Sequence, residues 1–464
     1  MPVLFEYGNW DRSAGAGDLK NLLREIWAQR LFVGQDTDYD AELSEETSDP
    51  RYQPFLKFDG TQIRANNFVG FIQNGDELVE IFPKVFKALF RESRVTGDDK
   101  ALMLRHVFYW LDHCRRWKFP FSQADLDTVD IDSLPELIIN RIANQFLETI
   151  STQPLTIYQP VEEALMTPRG SINFKRYLAN GFATGNQHII DCDHEPFLFD
   201  NRVNRIIKYC SRLLMSQTRF TENMMILQEV IFILDDVEDV PCTVSDIERV
   251  SLNPFFEDYT RLFDHCRMIL SQQIYSSSNF ELSQWCLLFP MEYIFEDFIA
   301  GFLESNFRTD WKVEYQKSNA FLCDSPQVFR MQHDIFLTSR TDPERTMIID
   351  TKYKLRSPNF MADPKKGVAQ ADLYQMVSYA VKRGCKELIL LYPNISEELN
   401  APDTFEIVTG FEGRDTIVIR AAEVPFWSFR GFDDLKDRLF NRLDALLSVQ
   451  VFQDSDISKS QKFE

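Results

Sequence analysis

Apolar residues recur at helical spacing in DLKNLLREIWAQRLFV (18–33), where Leu19, Leu22, Leu23, Ile26 and Trp27 share one face. An acidic, polar stretch follows as far as about Pro50 and reads as a mobile connection. From Gln53 the apolar period shortens to that of a strand. In FVGFIQNGDELVEIFPK (68–84) two alternating runs flank Asn74-Gly75, a pair that tolerates the positive φ of a tight hairpin turn. Residues 98–118 return to helical spacing, with Leu102, Leu104, Val107, Phe108, Leu111 and Cys114 on the apolar face. This first, mixed region is expected to end near residue 150.

Residues 151–290 are expected to be mainly helical. They contain PRGSINF (168–174), DCDHEPFLFDN (191–201) and the amphipathic run RVNRIIKYCSRLLM (202–215), for which Asp200 is the expected N-cap. LLFPMEYIFEDFIAGFLESNF (287–307) reads as a further helix. Beyond it VFRMQHDIFLT (328–338), RTMIIDTKYK (345–354) and KELILLYP (386–393) read as strands, with a helix over 368–383 between the last two. The pattern predicts an α+β multidomain chain: a mixed β/helical N-terminal region (1–150), a mainly helical middle region (151–290) and a C-terminal α/β domain (291–464). No fixed-period repeat is visible, and the polar tail after about Asp454 is expected to fray.

A length of 464 residues supports this division, since one core rarely organises so long a chain. The 40 Phe beside 7 Trp and 15 Tyr predict cores rich in aromatic packing. Charge narrows the function: 50 Lys and Arg against 71 Asp and Glu leave −21, which excludes a protein that coats nucleic acid by charge alone. The eight cysteines, with no CxxC pair and no leader-like segment, read as reduced, mostly buried thiols of a cytoplasmic protein. No apolar stretch reaches the ~18 residues of a membrane span, and the greasiest one is broken by Glu292, Glu296 and Asp297. GxxxxGK[ST], a dinucleotide fingerprint, HExxH and GxSxG are all missing, so any nucleotide-driven motor must reside on another chain.

The residues that carry chemistry lie between 291 and 392. In MIIDTKYK, strand alternation sends Asp350, Lys352 and Lys354 to one face and Thr351 and Tyr353 to the other. Asp334 lies sixteen residues earlier, and the polar TSRTDPER between the two runs suits a hairpin connection that would bring it beside Asp350. Two carboxylates and the carbonyl of Thr351 are the hard oxygen ligands that Mg2+ prefers. Lys352 beside them would orient or deprotonate an attacking water, or stabilise extra negative charge in the transition state. Between 340 and 386, ten basic residues (Arg340, Arg345, Lys352, Lys354, Arg356, Lys365, Lys366, Lys382, Arg383, Lys386) stand against five acidic ones (Asp342, Glu344, Asp350, Asp363, Asp372), a local balance of +5. A basic island around a metal site is what a DNA backbone requires.

A hairpin Asp, then DTK, then QMVSY on the next helix resembles the PD-(D/E)xK nuclease superfamily, with Gln375 and Tyr379 matching its QxxxY helix feature. Further strings resemble successive landmarks of the McrC family, nuclease subunits of McrBC-type modification-dependent restriction systems. They are NFVGFIQNGDELVEIFPK (67–84), PRGSINF (168–174), FDNRVNRIIKY (199–209), FEDF (295–298), and IIDTKYK with DLYQMVSYA, spanning roughly residues 53–395. The resemblance implies a Mg2+-dependent endonuclease whose C-terminal PD-(D/E)xK domain cuts double-stranded DNA carrying modified bases of the 5-methylcytosine type. It also implies a hexameric McrB-type AAA+ GTPase partner that recognises and moves the DNA, with the N-terminal half of this chain docked in that motor and stimulating it. By motif position, Asp334 and Asp350 become metal ligands and Lys352 the catalytic lysine. Gln375 becomes a helix residue supporting the site, and Glu296 the acidic residue from the preceding helix. His333 replaces the Pro usually drawn before the first Asp, which bears on backbone geometry rather than on a ligand.

Each of these readings has a plainer counterpart. Asp350 with Lys352 would otherwise be a surface ion pair at a strand end. Glu296 competes with Glu292 and Asp297 and would otherwise be the wet side of an amphipathic helix. Gln375 and Tyr379, one helical turn apart, would simply pack and hydrogen-bond. His188, Cys192 and His194 would share a strand face, yet without a nearby fourth ligand a zinc site has little support. Arg169-Gly170 reads as a structural turn before a contact with partner or DNA, and the 67–84 hairpin as either a docking finger or part of a sheet. Two other functions compete with the nuclease in a complex: a non-catalytic adaptor that activates the motor and holds DNA, and a stand-alone nuclease.

Overall fold

The computed structural model describes residues 3–13, 16–29, 53–74, 77–90, 95–115, 133–250, 256–272, 284–356, 363–409 and 416–448. The acidic stretch to Pro50, Gly75 and the tail after Asp454 lie outside them. Near the N-terminus a four-stranded sheet runs in the order Val3–Phe5, Glu77–Phe82, Phe68–Asn74, Gln284–Pro290. Asn74 stands opposite Glu77, so the expected hairpin forms. It is no projecting finger, however, because alternate residues are buried on both faces. Val69 and Phe71 enter one apolar cluster, and Phe68 and Ile72 enter another together with Leu19, Leu22 and Leu23 of helix Ala16–Gln29. The fourth strand comes from the end of the middle region. It fits only because residue 70 is glycine: φ there is +137°, and a Cβ would lie 2.0 Å from the Leu287 carbonyl oxygen.

Helix Gly97–His113 begins at a Thr96/Asp99 capping box and ends five residues earlier than expected, where Cys114 turns extended. It is buried on nearly all sides, including His106, Tyr109 and Trp110, which the one-face reading left out. Trp110 stacks on Phe426 with ring centroids 3.8 Å apart and donates Nε1–H to the Phe426 carbonyl at 2.7 Å. One apolar cluster therefore runs from Phe5 to Leu447, through all three sequence regions.

The middle region packs helices Leu134–Thr152, Arg202–Gln217, Thr221–Ile233 and Glu257–Gln272. Asn201, not Asp200, caps the second of them. Asn201 Oδ1 accepts the Asn204 amide at 3.1 Å and its NH2 donates to the Leu155 carbonyl, a double role a carboxylate cannot fill. Asp200 instead forms a two-bond pair with Arg205. Between the first two helices, short strands at 157–158, 161–165, 171–172, 190–194 and 197–198 build a small module. His188 lies in a turn before strand Ile190–His194, so it does not join Cys192 and His194 on a strand face. Gly170, at φ +66°, is a structural turn, with a Cβ there meeting the Asp193 carbonyl at 2.4 Å.

The C-terminal sheet has six strands, in the order Trp311–Asp324, Gln327–Ser339, Thr346–Thr351, Glu387–Pro393, Thr416–Val424, Asp403–Val408. Strands 346–351, 387–393 and 416–424 are mutually parallel and the flanking pairs are antiparallel. Met347 and Ile349 join the cluster that holds helices Met291–Phe307 and Phe432–Ser448, while Ile348 lies beneath helix Gln370–Arg383. By alternation Asp350 follows Ile348 toward that last helix. Among the described residues no helix is long and apolar enough to cross a membrane.

Glu6, just past the first strand, is fully buried. Its Oε2 accepts the Lys84 amide at 3.0 Å and the Tyr353 hydroxyl at 2.8 Å. Burial above all, opposed by the Lys84 charge, pushes its carboxyl from 4.5 to about 7. An acid with a raised folded-state pKa stabilises the fold least when ionised, so its cost is absent below about pH 4.5, grows up to about pH 7 and is constant above. Glu6→Gln should therefore melt close to the wild type at pH 5 and gain on it by pH 8, as paired thermal unfolding scans would show. A gap that narrows with rising pH contradicts this sign.

Candidate active site

Ile335 pairs with Ile349, and one further step along that antiparallel register sets Asp334 opposite Asp350. The hairpin inferred from sequence thus brings the two carboxylates together. Asp350 is 1% exposed, and Lys352 Nζ lies 2.6 Å from its Oδ2. At that distance the two form a close ion pair. Burial first, and Asp334 second, raise the Asp350 carboxyl from 3.8 to about 7 against the pull of Lys352. For Lys352, burial works to lower the ammonium pKa, but Asp350, Asp334 and Asp372 outweigh it and leave the pKa raised.

Lys352 Nζ also donates to Gln375 Oε1 at 3.1 Å, and Gln375 Nε2 donates to the Tyr379 oxygen at 2.7 Å. The Tyr379 hydroxyl donates in turn to the Gln332 carbonyl. Gln375 and Tyr379, one turn apart on helix 370–383, thereby tie the lysine to the strand that carries Asp334. His333 is fully buried, its ring 5.7 Å from that of Tyr379.

The strand ends at Thr351, shorter than the 345–354 run predicted. Thr351 does not turn away from the site, as strict alternation required: its N–H and its hydroxyl both donate to Asp334 Oδ2, each at 2.7 Å. Lys354 leaves Asp350 and meets the Asp372 carboxylate at 3.2 Å. The hydroxyl of Thr351 and the carboxylate of Asp372 escaped the sequence reading, since each depends on where the strand stops.

Glu296 is half-buried on helix 291–307 and, behind Asp350 and Asp334, helps raise the Tyr379 hydroxyl pKa, which burial raises most. Glu292 acts instead on Glu6, Lys84 and Tyr353, and Asp297 is buried. Among the described residues no three His, Cys, Asp or Glu side chains gather closely enough to hold a metal by themselves. Glu296 thus lies close enough to act on Tyr379, whose hydroxyl belongs to the chain of bonds from Lys352. The basic island is also smaller than its count. Arg356 is buried against Asp403 and the Lys366 carbonyl, Arg345 reaches the Leu447 carbonyl and Glu387, and Lys382 pairs with Asp324.

The family model described as "McrBC 5-methylcytosine restriction system component" matches residues 63–393. No curated protein matches the chain. Among the solved structures that resemble it are two from one organism. One is a chain of the refined half-complex from the tetradecameric assembly of Thermococcus gammatolerans McrB AAA+ hexamers with bound McrC, at 16% identity and TM-score 0.71, covering 95% of this chain and 99% of that one. The other is a chain of the Thermococcus gammatolerans McrBC complex seen by cryo-EM, at 19% identity and TM-score 0.51, covering 66% of this chain and 87% of that one. At these identities the likeness is one of fold.

Proposed function

The chain belongs to the family of McrBC 5-methylcytosine restriction system components, and from that premise we propose that it is the DNA-cutting subunit of such a system. In this reading it is a Mg2+-dependent endonuclease of the PD-(D/E)xK kind, acting on double-stranded modified DNA delivered by a hexameric McrB-type AAA+ GTPase. The observation that carries the reading is Asp334 opposite Asp350 on adjacent strands, with the Lys352 ammonium 2.6 Å from the second carboxylate. The partner is extended to this chain from the Thermococcus gammatolerans assembly, whose McrC is bound to McrB AAA+ hexamers.

The donor set suits Mg2+. Asp350 and Asp334 are carboxylates of adjacent strands, the hard anionic oxygen ligands this cation prefers, and Asp350 is buried with burial disfavouring its charge, a cost that a bound cation would offset. Two carboxylates and the Thr351 carbonyl would hold the ion, and so few protein ligands match its habit of keeping several waters. Bound there, Mg2+ would supply an activated water and neutralise charge developing on phosphorus. The protein's own part follows from the hydrogen bonds. Thr351 fixes one oxygen of Asp334, Gln375 aims Lys352, and the carboxylates that raise the Lys352 pKa keep it protonated. Lys352 therefore acts as a fixed positive charge for the transition state rather than as the base that takes the water's proton.

Docking falls to the small module between residues 157 and 198, not to the buried 67–84 hairpin. Tyr158, Met166, Phe174, Leu178, Phe182 and Phe197 expose between 56% and 80% of their surface there, far more apolar area than a free module of this size needs. Phe174→Asp with Phe182→Asp should weaken association with the GTPase at least tenfold and remove its stimulation, with the melting temperature unchanged. Unaltered association, measured by light scattering or gel filtration, would rule this surface out.

The whole reading is tested with the purified chain, its cognate GTPase, GTP, Mg2+ and a plasmid carrying 5-methylcytosine. Double-strand cutting that needs all of these and stops with EDTA is expected. Stimulated GTPase without cutting points to the adaptor, and cutting by this chain alone points to a stand-alone nuclease.

A further inference from the structure

Past Thr351 the chain leaves the sheet, and its next residues are held by groups far away in sequence. The Lys352 amide donates to the Leu391 carbonyl at 2.8 Å. The Tyr353 carbonyl accepts from Lys84 Nζ at 2.8 Å, and the Tyr353 hydroxyl donates to Glu6 Oε2 at 2.8 Å. The Lys84 ammonium also lies 4.1 Å from the centre of the Tyr353 ring, and its amide shares the same Glu6 oxygen. Glu6 and Lys84 follow the parallel strands 3–5 and 77–82, so both partners come from one corner of the N-terminal sheet.

This arrangement is more than packing requires. Tyr353 is 3% exposed with Phe295 and Phe426 rings about it, a setting in which phenylalanine would pack equally well. A wholly buried carboxylate is a costly way to satisfy one hydroxyl and one amide, and among the described residues Glu6 Oε1 has no hydrogen-bond partner. The polar cluster instead grips one peptide unit on both sides, through its carbonyl and through its side-chain tip. That unit adjoins Lys352, whose ammonium must sit against Asp350.

Resting on the nuclease reading above, we infer that Glu6, Lys84 and Tyr353 are positioning residues, by which the N-terminal sheet holds the chain after Lys352 and sets the lysine against Asp350. None of the three touches the reacting atoms. They act through the backbone, limiting how far residues 352–354 move once the strand has ended.

Tyr353→Phe removes one oxygen and keeps the ring. In the full complex with GTP, Mg2+ and methylated plasmid, kcat for cutting should fall at least tenfold, with KM for DNA and GTPase stimulation within twofold of the wild type. Hydrogen exchange of amides 352–354 in the isolated full chain, with no DNA present, should accelerate at least tenfold. Glu6→Gln keeps an oxygen within reach of both donors and should stay within threefold of the wild type in both readouts. Glu6→Leu removes that oxygen and should match Tyr353→Phe. Unchanged exchange at 352–354 in Tyr353→Phe overturns the inference whether or not the wild type cuts. Cutting that falls in step with GTPase stimulation overturns it too, since Tyr353 would then be holding up the fold. If the wild type never cuts while exchange responds as described, the nuclease reading fails and the grip stands.

Discussion

Asp350→Asn is expected to abolish DNA cutting, on the order of 10³-fold or more, while the chain still folds, binds its GTPase and stimulates it. The substitution keeps the shape of the side chain and removes the charge a cation needs. It also relieves a burial cost: the carboxyl is 1% exposed and raised to about 7, so its surroundings disfavour the ionised form. The melting temperature should therefore stay level or rise as activity vanishes, a combination that a structural aspartate cannot give. Lys352→Ala should lose cutting on a similar scale and retain metal binding, read by isothermal titration with Mg2+ or Mn2+. Normal cutting by Asp350→Asn would end the nuclease assignment. A large loss of folded protein in Lys352→Ala would mark that lysine as structural.

Gly301→Ala should cost this protein a large part of its stability. Gly301 lies in helix 291–307 where it crosses the end of helix 97–113, and a Cβ there would sit 1.9 Å from the His113 carbonyl oxygen. The obstacle is backbone, which cannot swing aside as a side chain can. The two helices must part, loosening the contacts of Phe298 with Tyr109 and of Phe302 with His113. We expect a cost of about 3 kcal/mol, the upper part of the overpacking range, visible as a lowered melting temperature and weaker GTPase association. A variant melting within 1 °C of the wild type would show that the helices have room to give.

Local signals carried the centre of the site. Alternation in MIIDTKYK and the polar connection before it put Asp334 across from Asp350, and helical spacing put Gln375 and Tyr379 on one side of their helix. What stayed hidden depends on contacts between distant parts of the chain. The pairing of 284–290 with 68–74 rests on register between segments some two hundred residues apart, which no local pattern encodes. The 67–84 hairpin reads equally well as a finger or a sheet, because alternation fixes the period and not what covers each face. Helix 97–113 carries apolar residues all round, so the search for one stripe missed Trp110. Glu6 gives no signal in sequence: a lone glutamate after Val-Leu-Phe becomes notable only when Tyr353 and Lys84 arrive beside it.

The Trp110–Phe426 stack has a practical consequence. Because residues 5 to 447 contribute to one continuous interior, the region from residue 291 onward is not expected to survive excision as a module. A fragment beginning at residue 291 would strip Trp110 from Phe426, Tyr109 from Phe298 and His113 from Phe302, and should precipitate or be recovered only with the remainder of the chain supplied in trans. Hybrids that swap C-terminal regions between relatives should, by the same reasoning, exchange helix 97–113 along with them.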